Sequence, residues 1–207
     1  IGDGGSANDP FQNGQNLSNP LGSIYYFEYE NNSIVPAIKG LEGDPFILHY
    51  GLRNPWRFDL DSNGGLWIAD VGQACWEEVN LVNLTERSNL GWPVREGLNK
   101  FDESGVCDFT GPGEVGDYVD PILVYAHDNG NCSVTGGYWM DWGPDPLREG
   151  YLFGDFCSGS MWIIREESGT WSKQYIGASG GMIVGFGESR EGDLLVFHWM
   201  GDSVVIS

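Results

Sequence analysis

Gly65-Leu66-Trp67-Ile68-Ala69-Asp70, preceded by Phe58, is matched late in the chain by Asp193-Leu194-Leu195-Val196-Phe197-His198, preceded by Phe186. A second phrase, a small turn running into an apolar strand, occurs three times. It reads Gly22-Ser23-Ile24-Tyr25-Tyr26-Phe27, Gly159-Ser160-Met161-Trp162-Ile163-Ile164 and Gly201-Asp202-Ser203-Val204-Val205-Ile206. Met161 and Val204 lie 43 residues apart, and the steps Ile24 to Met161 (137) and Phe58 to Phe186 (128) are each about three times that. A period of ~40–50 residues with several strands per unit is the mark of a β-propeller. A β-sandwich or β-helix with accidental similarity is the alternative. At ~44 residues per blade, the 207 residues hold four to five blades' worth of chain.

The rest of the sequence agrees with an all-β reading. No long amphipathic helical pattern occurs. Short runs rich in Ile, Val, Tyr, Trp and Phe (Ser23–Tyr29, Gly65–Asp70, Tyr151–Phe156, Met161–Arg165, Leu194–Trp199) are separated by Gly, Asn, Asp and Pro, as strands and turns require. The 32 glycines are about twice the usual share of roughly 7% and suit a turn-dense fold. Nine Trp, nine Tyr and ten Phe supply a bulky core. The whole chain, 1–207, reads as one domain. It starts inside a strand-like phrase rather than at Met, so the expectation is the C-terminal part of a propeller whose N-terminal blades are missing.

Charge excludes several partners. Ten Lys and Arg against 30 Asp and Glu give a net charge of −20, which disfavours nucleic acid and anionic membranes. No apolar run approaches the ~20 residues of a membrane helix. An anionic ligand would need a few locally placed arginines. Four cysteines without CxxC spacing allow three pairings, and sequons stand at Asn16, Asn31, Asn83 and Asn131 as glycosylation candidates. Together these point to an extracellular or periplasmic location.

Tyr50-Gly51-Leu52-Arg53-Asn54-Pro55-Trp56-Arg57-Phe58 carries the clearest chemistry. Pro55 forces Asn54 into an extended or turn conformation. Arg53 and Asn54 then present a guanidinium and an amide suited to a planar acid. The competing reading has the arginine satisfying loop carbonyls. Downstream stand Leu66 to Gln73, Glu77-Glu78-Val79-Asn80, Asn89-Leu90-Gly91-Trp92-Pro93, Cys132-Ser133-Val134-Thr135-Gly136-Gly137-Tyr138 and Tyr151 to Gly159.

In this order the phrases resemble the glucose/sorbosone dehydrogenase family of soluble quinoprotein sugar dehydrogenases. The Arg-Asn-Pro-Trp-Arg, Asp-Val-Gly-Gln and Cys-Ser-Val-Thr-Gly-Gly versions, with the opening Gly2 to Pro10 and Asn13 to Leu17, are similar to its secreted, hedgehog-interacting-protein-like branch. The resemblance covers essentially the whole chain. It implies a six-bladed propeller binding pyrroloquinoline quinone (PQQ) over calcium, with a histidine taking a sugar hydroxyl proton as hydride passes to the quinone. Carried over, Arg53 and Asn54 are cofactor-binding, and the backbone carbonyls of Gly72 and Gln73 hold calcium. The family's histidine phrase lies upstream of the Gly2-Asp3-Gly4-Gly5 loop, so no catalytic residue is assigned in this chain. The family's cofactor lysine and two C-terminal arginines correspond to Ser158, Met182 and Val184, leaving Arg57, Arg95 and Arg148 as possible substitutes.

Several weaker signals complete the reading. Asp59, Asp61 and Asn63 begin like a calcium loop with Asp70 in its twelfth position, although a hairpin turn explains them equally well. Asp3 and Asp9 in the acidic opening loop are a similar calcium candidate. Gly177-Ala178-Ser179-Gly180-Gly181 fits a nucleophile elbow in letters but precedes a strand instead of a helix. His49, His127 and His198 are dispersed, with His198 at the end of an inner-strand phrase. The expected disulfides are Cys132–Cys157, joining neighbouring strands, and Cys75–Cys107, closing a long loop. The functional expectation is a secreted PQQ- and calcium-dependent sugar dehydrogenase-like protein acting on a sugar, with other chains or domains supplying the missing blades. The alternative is a non-catalytic propeller that binds a protein or glycan.

Overall fold

The computed structural model describes residues 1–107 and 116–206. The chain runs through β1 (Ser23–Tyr25), β2 (Phe27–Glu30), β3 (Ser33–Pro36), β4 (Ile47–Tyr50), β5 (Pro55–Leu60), β6 (Gly65–Asp70), β7 (Trp76–Asn83), β8 (Ser88–Asn89), β9 (Arg95–Glu96), β10 (Asn99–Lys100) and β11 (Leu123–Ala126). It continues through β12 (Val134–Trp139), β13 (Tyr151–Asp155), β14 (Ser160–Glu167), β15 (Thr170–Ala178), β16 (Met182–Glu188), β17 (Leu194–Trp199) and β18 (Val204–Ile206). Among the described residues the only helical pieces are two 3-10 turns, Asn13–Gln15 and Asp145–Leu147. Among the described residues no helix is long and apolar enough to cross a membrane.

Four sheets follow one another as blades. Their strand orders are β1-β4-β8, then β5-β6-β7-β11, then β12-β13-β14-β15, then β16-β17-β18. The second and third are four-stranded antiparallel meanders. Most of the recurring phrases occupy matching places: β6 and β17 are second strands of their blades, and β14 and β18 are third strands, whereas the Gly22–Phe27 copy falls on β1, an edge strand paired with β4. The run Ser23–Tyr29 is not one strand, which corrects the sequence reading. The pairing with β4 shifts register between Ile24 and Tyr25 and stops at Tyr25↔Ile47, Tyr26 donates to the Phe46 carbonyl at 2.9 Å, and β2 pairs instead with β3.

Period-2 alternation divides the core into layers between blades. Leu66 and Ile68 of β6 join Ile24, Leu52, Val82 and Leu90 on one side. Trp67 and Ala69 face the other way, into a cluster with Tyr125, Val134, Tyr151, Phe153 and Trp162. β13 repeats the device, because Leu152 turns into the next layer with Met140, Ile163, Ile183 and Phe186. Trp67 is wholly buried, stacked at 4.8 Å on Tyr151 and 5.3 Å on Trp139. The abundant tryptophan therefore serves chiefly as inter-blade packing.

The first strands of successive blades lie together, β5 against β12 and β12 against β16. Each carries a one-residue irregularity at its start: between Pro55 and Arg57, between Thr135 and Tyr138, and between Ile183 and Gly185. Bulges of this kind bend a strand and redirect side chains. In β12 the glycines are required by close approach. A Cβ on Gly137 would stand 1.9 Å from the Leu152 carbonyl oxygen, and one on Gly136 would stand 2.7 Å from the Ala69 side chain. Arg57 stitches three blades: its guanidinium lies over the Tyr138 ring at 5.8 Å and donates to the Phe186 carbonyl at 3.3 Å.

Candidate functional site

The site forms where β5 begins and β6 ends. Pro55 opens β5, leaving the Arg53–Asn54 backbone free to cap the neighbouring strand. Asp70 takes both amides, from Arg53 N at 2.9 Å and Asn54 N at 2.6 Å, and Val71 N closes the turn onto the Asn54 carbonyl at 3.1 Å. Burial still pushes the Asp70 carboxyl up to about 7. The Arg53 guanidinium folds inward, donating to the carbonyls of Val71 at 3.0 Å and Gly72 at 2.8 Å, and lies 5.8 Å from the Trp92 ring centroid. Its Nε is buried and has no partner among the described residues.

The next turn is bound from below. Glu96 accepts the amides of Gln73, Ala74 and Cys75 at 2.6, 2.7 and 3.1 Å, which gathers three successive N–H groups onto one carboxylate oxygen. Gly72 must be glycine, since a Cβ would stand 1.7 Å from the Trp76 carbonyl oxygen and 2.8 Å from Glu96 Oε1. The Gln73 side chain clasps Asn8 twice, accepting from its N–H at 2.6 Å and donating to its Oδ1 at 2.5 Å. Asp3 completes the wall by accepting from Trp92 Nε1 at 2.9 Å and from Gly5 N at 3.0 Å. Arg53, Asn54, Gln73 and the loop Gly2 to Ala7 then enclose a cleft of about 470 Å³.

Three residues of the sequence reading, Arg53, Asn54 and Gln73, thus line one cleft, with Gly72 immediately beneath. The competing reading of Arg53 is the one observed, since Nη1 satisfies the carbonyls of Val71 and Gly72, and Nε is buried without a partner among the described residues. Calcium does not fit the arrangement as it stands, because the Gly72 carbonyl already accepts from a cation. To a quinone acid the cleft offers one cation, Arg53, and one carboxylate, Asp3. Ser158 Oγ accepts from Ser160 N, Met182 is exposed, and neither they nor Val184 line the cleft. The possible substitutes are engaged elsewhere: Arg57 between blades, Arg95 on Asp120 at 2.7 Å and Arg148 on the Gly143 carbonyl at 3.1 Å.

The other candidates have local partners. Asp59 accepts from Trp139 N at 2.7 Å. Asp61 organises the β5–β6 turn through Asn63 N, Gly65 N and Trp67 Nε1, and the Asn63 side chain is exposed. Asp9 caps the Asn13 and Gly14 amides at 2.9 and 2.8 Å. Among the described residues no group of three or more His, Cys, Asp and Glu side chains is disposed to hold a metal. The histidines stay apart from the cleft. His49 is buried in β4 and accepts from Ser88 N, His198 is buried in β17, and His127 pairs with Glu77 at 2.6 Å. The disulfides are Cys75–Cys107 and Cys132–Cys157, as expected. Asn16, Asn31 and Asn83 are exposed and Asn131 is half-buried. Sequence reading missed Glu96, Asn8 and the Asp3–Trp92 clasp. Their partners are backbone amides or residues far along the chain, which no local motif announces.

Comparison with known proteins follows the same line. The family model described as Glucose / Sorbosone dehydrogenase matches residues 1–142. HIPL1 protein of Arabidopsis thaliana is 32% identical over 189 residues, covering 78% of this chain and 27% of that protein. HIPL2 protein of the same plant is 30% identical over 210 residues, covering 84% and 29%. The chain therefore spans less than a third of these curated relatives. Among solved structures it superposes on the PQQ-bound aldose sugar dehydrogenase of Streptomyces coelicolor with a TM-score of 0.70 and 18% identity, over 99% of this chain and 55% of that one. On the apo form of the soluble aldose sugar dehydrogenase of Escherichia coli the TM-score is 0.74 at 19% identity, over 100% and 58%. These structural matches establish the propeller fold.

Proposed function

The chain belongs to the glucose/sorbosone dehydrogenase family, and from that premise we propose that it carries the quinone cradle of a PQQ-dependent sugar dehydrogenase-like protein. One observation carries the reading: the cleft of about 470 Å³ that brings Arg53, held over the Val71 and Gly72 carbonyls, together with Asn54 and Gln73. Arg53 is held by two carbonyls and Trp92, so it enters binding preorganised and loses little freedom. Its guanidinium would supply the positive charge for a carboxylate or quinone oxygen, and Asn54 would orient the cofactor at the rim. A bound quinone supplies the hydride acceptor. The base for the sugar hydroxyl is assigned to residues beyond those lining the cleft, because Asp3 is committed to Trp92 and Gly5. Calcium enters this reading as a competitor of the Arg53 guanidinium for the Gly72 carbonyl.

The two disulfides and the exposed sequons at Asn16, Asn31 and Asn83 support an extracellular or periplasmic setting and glycosylation. The test is dye reduction by the protein containing this chain, given PQQ, calcium and a panel of aldoses. Turnover dependent on PQQ is expected; none with any aldose would leave the second reading. That reading is a non-catalytic binding propeller. It is favoured by the single cationic side chain in the cleft, which it shares with Asp3, and by Ser158, Met182 and Val184 at the family's cationic positions.

A further inference from the structure

A larger cleft lies at the opposite ends of the strands from the Arg53 site. β5 runs from Pro55, beside the site, to Leu60, and β12 from Val134 to Trp139. The turn Asp61–Gly65 and Trp139 therefore belong to the far face, with Asn83 at the end of β7 and Glu166 near the end of β14. Here the groove between the second and third blades opens into a cleft of about 620 Å³ walled by Asn63, Asn83, Trp139, Glu149, Glu166 and Trp171. It meets a second cleft of about 530 Å³ that shares Asn63, Trp139 and Glu149 and extends to Arg148.

The lining has a definite chemistry. Trp139 stacks one way on Trp67, and Trp171 meets Trp67 edge-on at 5.4 Å, so both half-buried indoles are fixed by the core while lining the groove. Fixed aromatic surface suits the apolar face of a pyranose ring. Asn63, Glu149 and Glu166 are exposed, and their side chains make no hydrogen bond among the described residues. Carboxylates and amides spaced along a groove accept and donate to hydroxyls. No Lys or Arg lines the larger cleft, and its carboxylates repel anions. The second cleft sets Arg148 beside Asp141 and Glu149. Fixed indoles with carboxylates and amides around them match an uncharged, polyhydroxylated chain, which titration with spermine separates from a polycation.

We infer that this base groove binds a neutral oligosaccharide, separately from the quinone cleft. Asn83 heads a sequon on its rim, so the experiment uses unglycosylated protein. Calorimetric titration of the chain with cellohexaose, mannohexaose and chitohexaose is compared with a galacturonate hexamer and with spermine. At least one neutral hexamer is expected to bind saturably, with Kd of about 10 μM to 1 mM. Affinity should fall at least tenfold in Trp171→Ala. It should also fall at least tenfold in the double variant Asn63→Ala/Glu149→Gln, which alters only exposed side chains and guards against misfolding. Binding of spermine or galacturonate alone, no saturable binding by any neutral hexamer, or binding that survives both variants overturns the inference.

Discussion

Asp155 shows how much of this molecule hangs on single buried acceptors. Its Oδ2 accepts from Tyr125 Oη, Cys132 N and Ser133 N, each at 3.0 Å, and its Oδ1 from Cys157 N and Ser158 N, each at 2.9 Å. One carboxylate thus anchors both ends of a disulfide-bridged turn. Asp155→Asn keeps the shape but turns one acceptor into a donor facing N–H groups. A loss of about 2–4 kcal/mol is expected in urea unfolding. Gly72→Ala is expected to lower stability as well, by about 3 kcal/mol, because the Cβ meets backbone rather than a movable side chain. Its check is the thermal midpoint. At this scale the sequence was only partly legible. Arg53–Asn54–Pro55 announced a polar corner and, in the competing reading, an arginine on loop carbonyls, but not that one of them would be the Gly72 carbonyl expected to hold calcium.

β6 explains why the element scale was more readable. Each of its residues from Leu66 to Asp70 is buried, and alternate side chains enter different inter-blade layers. A strand buried on both faces leaves an apolar phrase that must recur wherever the blade recurs, so Gly65–Asp70 and Asp193–His198 signalled the fold. The hairpin β2–β3 was missed because its exposed residues continue the apolar run of β1 without a turn signal. The base groove was also hidden, since its walls come from β12, β15 and several turns widely spaced in sequence. Trp67→Ala removes the ring shared by Tyr151, Trp139 and Trp171. It is expected to cost about 3–5 kcal/mol by chemical denaturation, as large aromatic deletions in a packed core do.

For the whole molecule, buried acids set the pH dependence. Burial raises Glu77 to about 7 and Glu78 to about 8, and the hydrogen bond to Glu77 raises His127. These groups bind protons more readily folded than unfolded, where carboxyls titrate near ~4.3 and histidine near ~6.5. Their stabilisation is therefore complete below about pH 4.3 and lost as the pH climbs through about 7 to 8, in the same direction as self-repulsion in a chain of charge −20. Urea midpoints should be higher at pH 5.5 than at pH 8.5. Glu78→Gln should flatten that slope by up to one proton, about 1.4 kcal/mol per pH unit; an unchanged slope would remove Glu78 from the explanation. The central claim concerns the cleft, and calorimetric titration of PQQ into this chain and its Arg53→Ala variant tests it most directly. One saturable site is expected in the parent chain and at least tenfold weaker binding in the variant. Absence of binding in the parent, or equal binding in both, would contradict it.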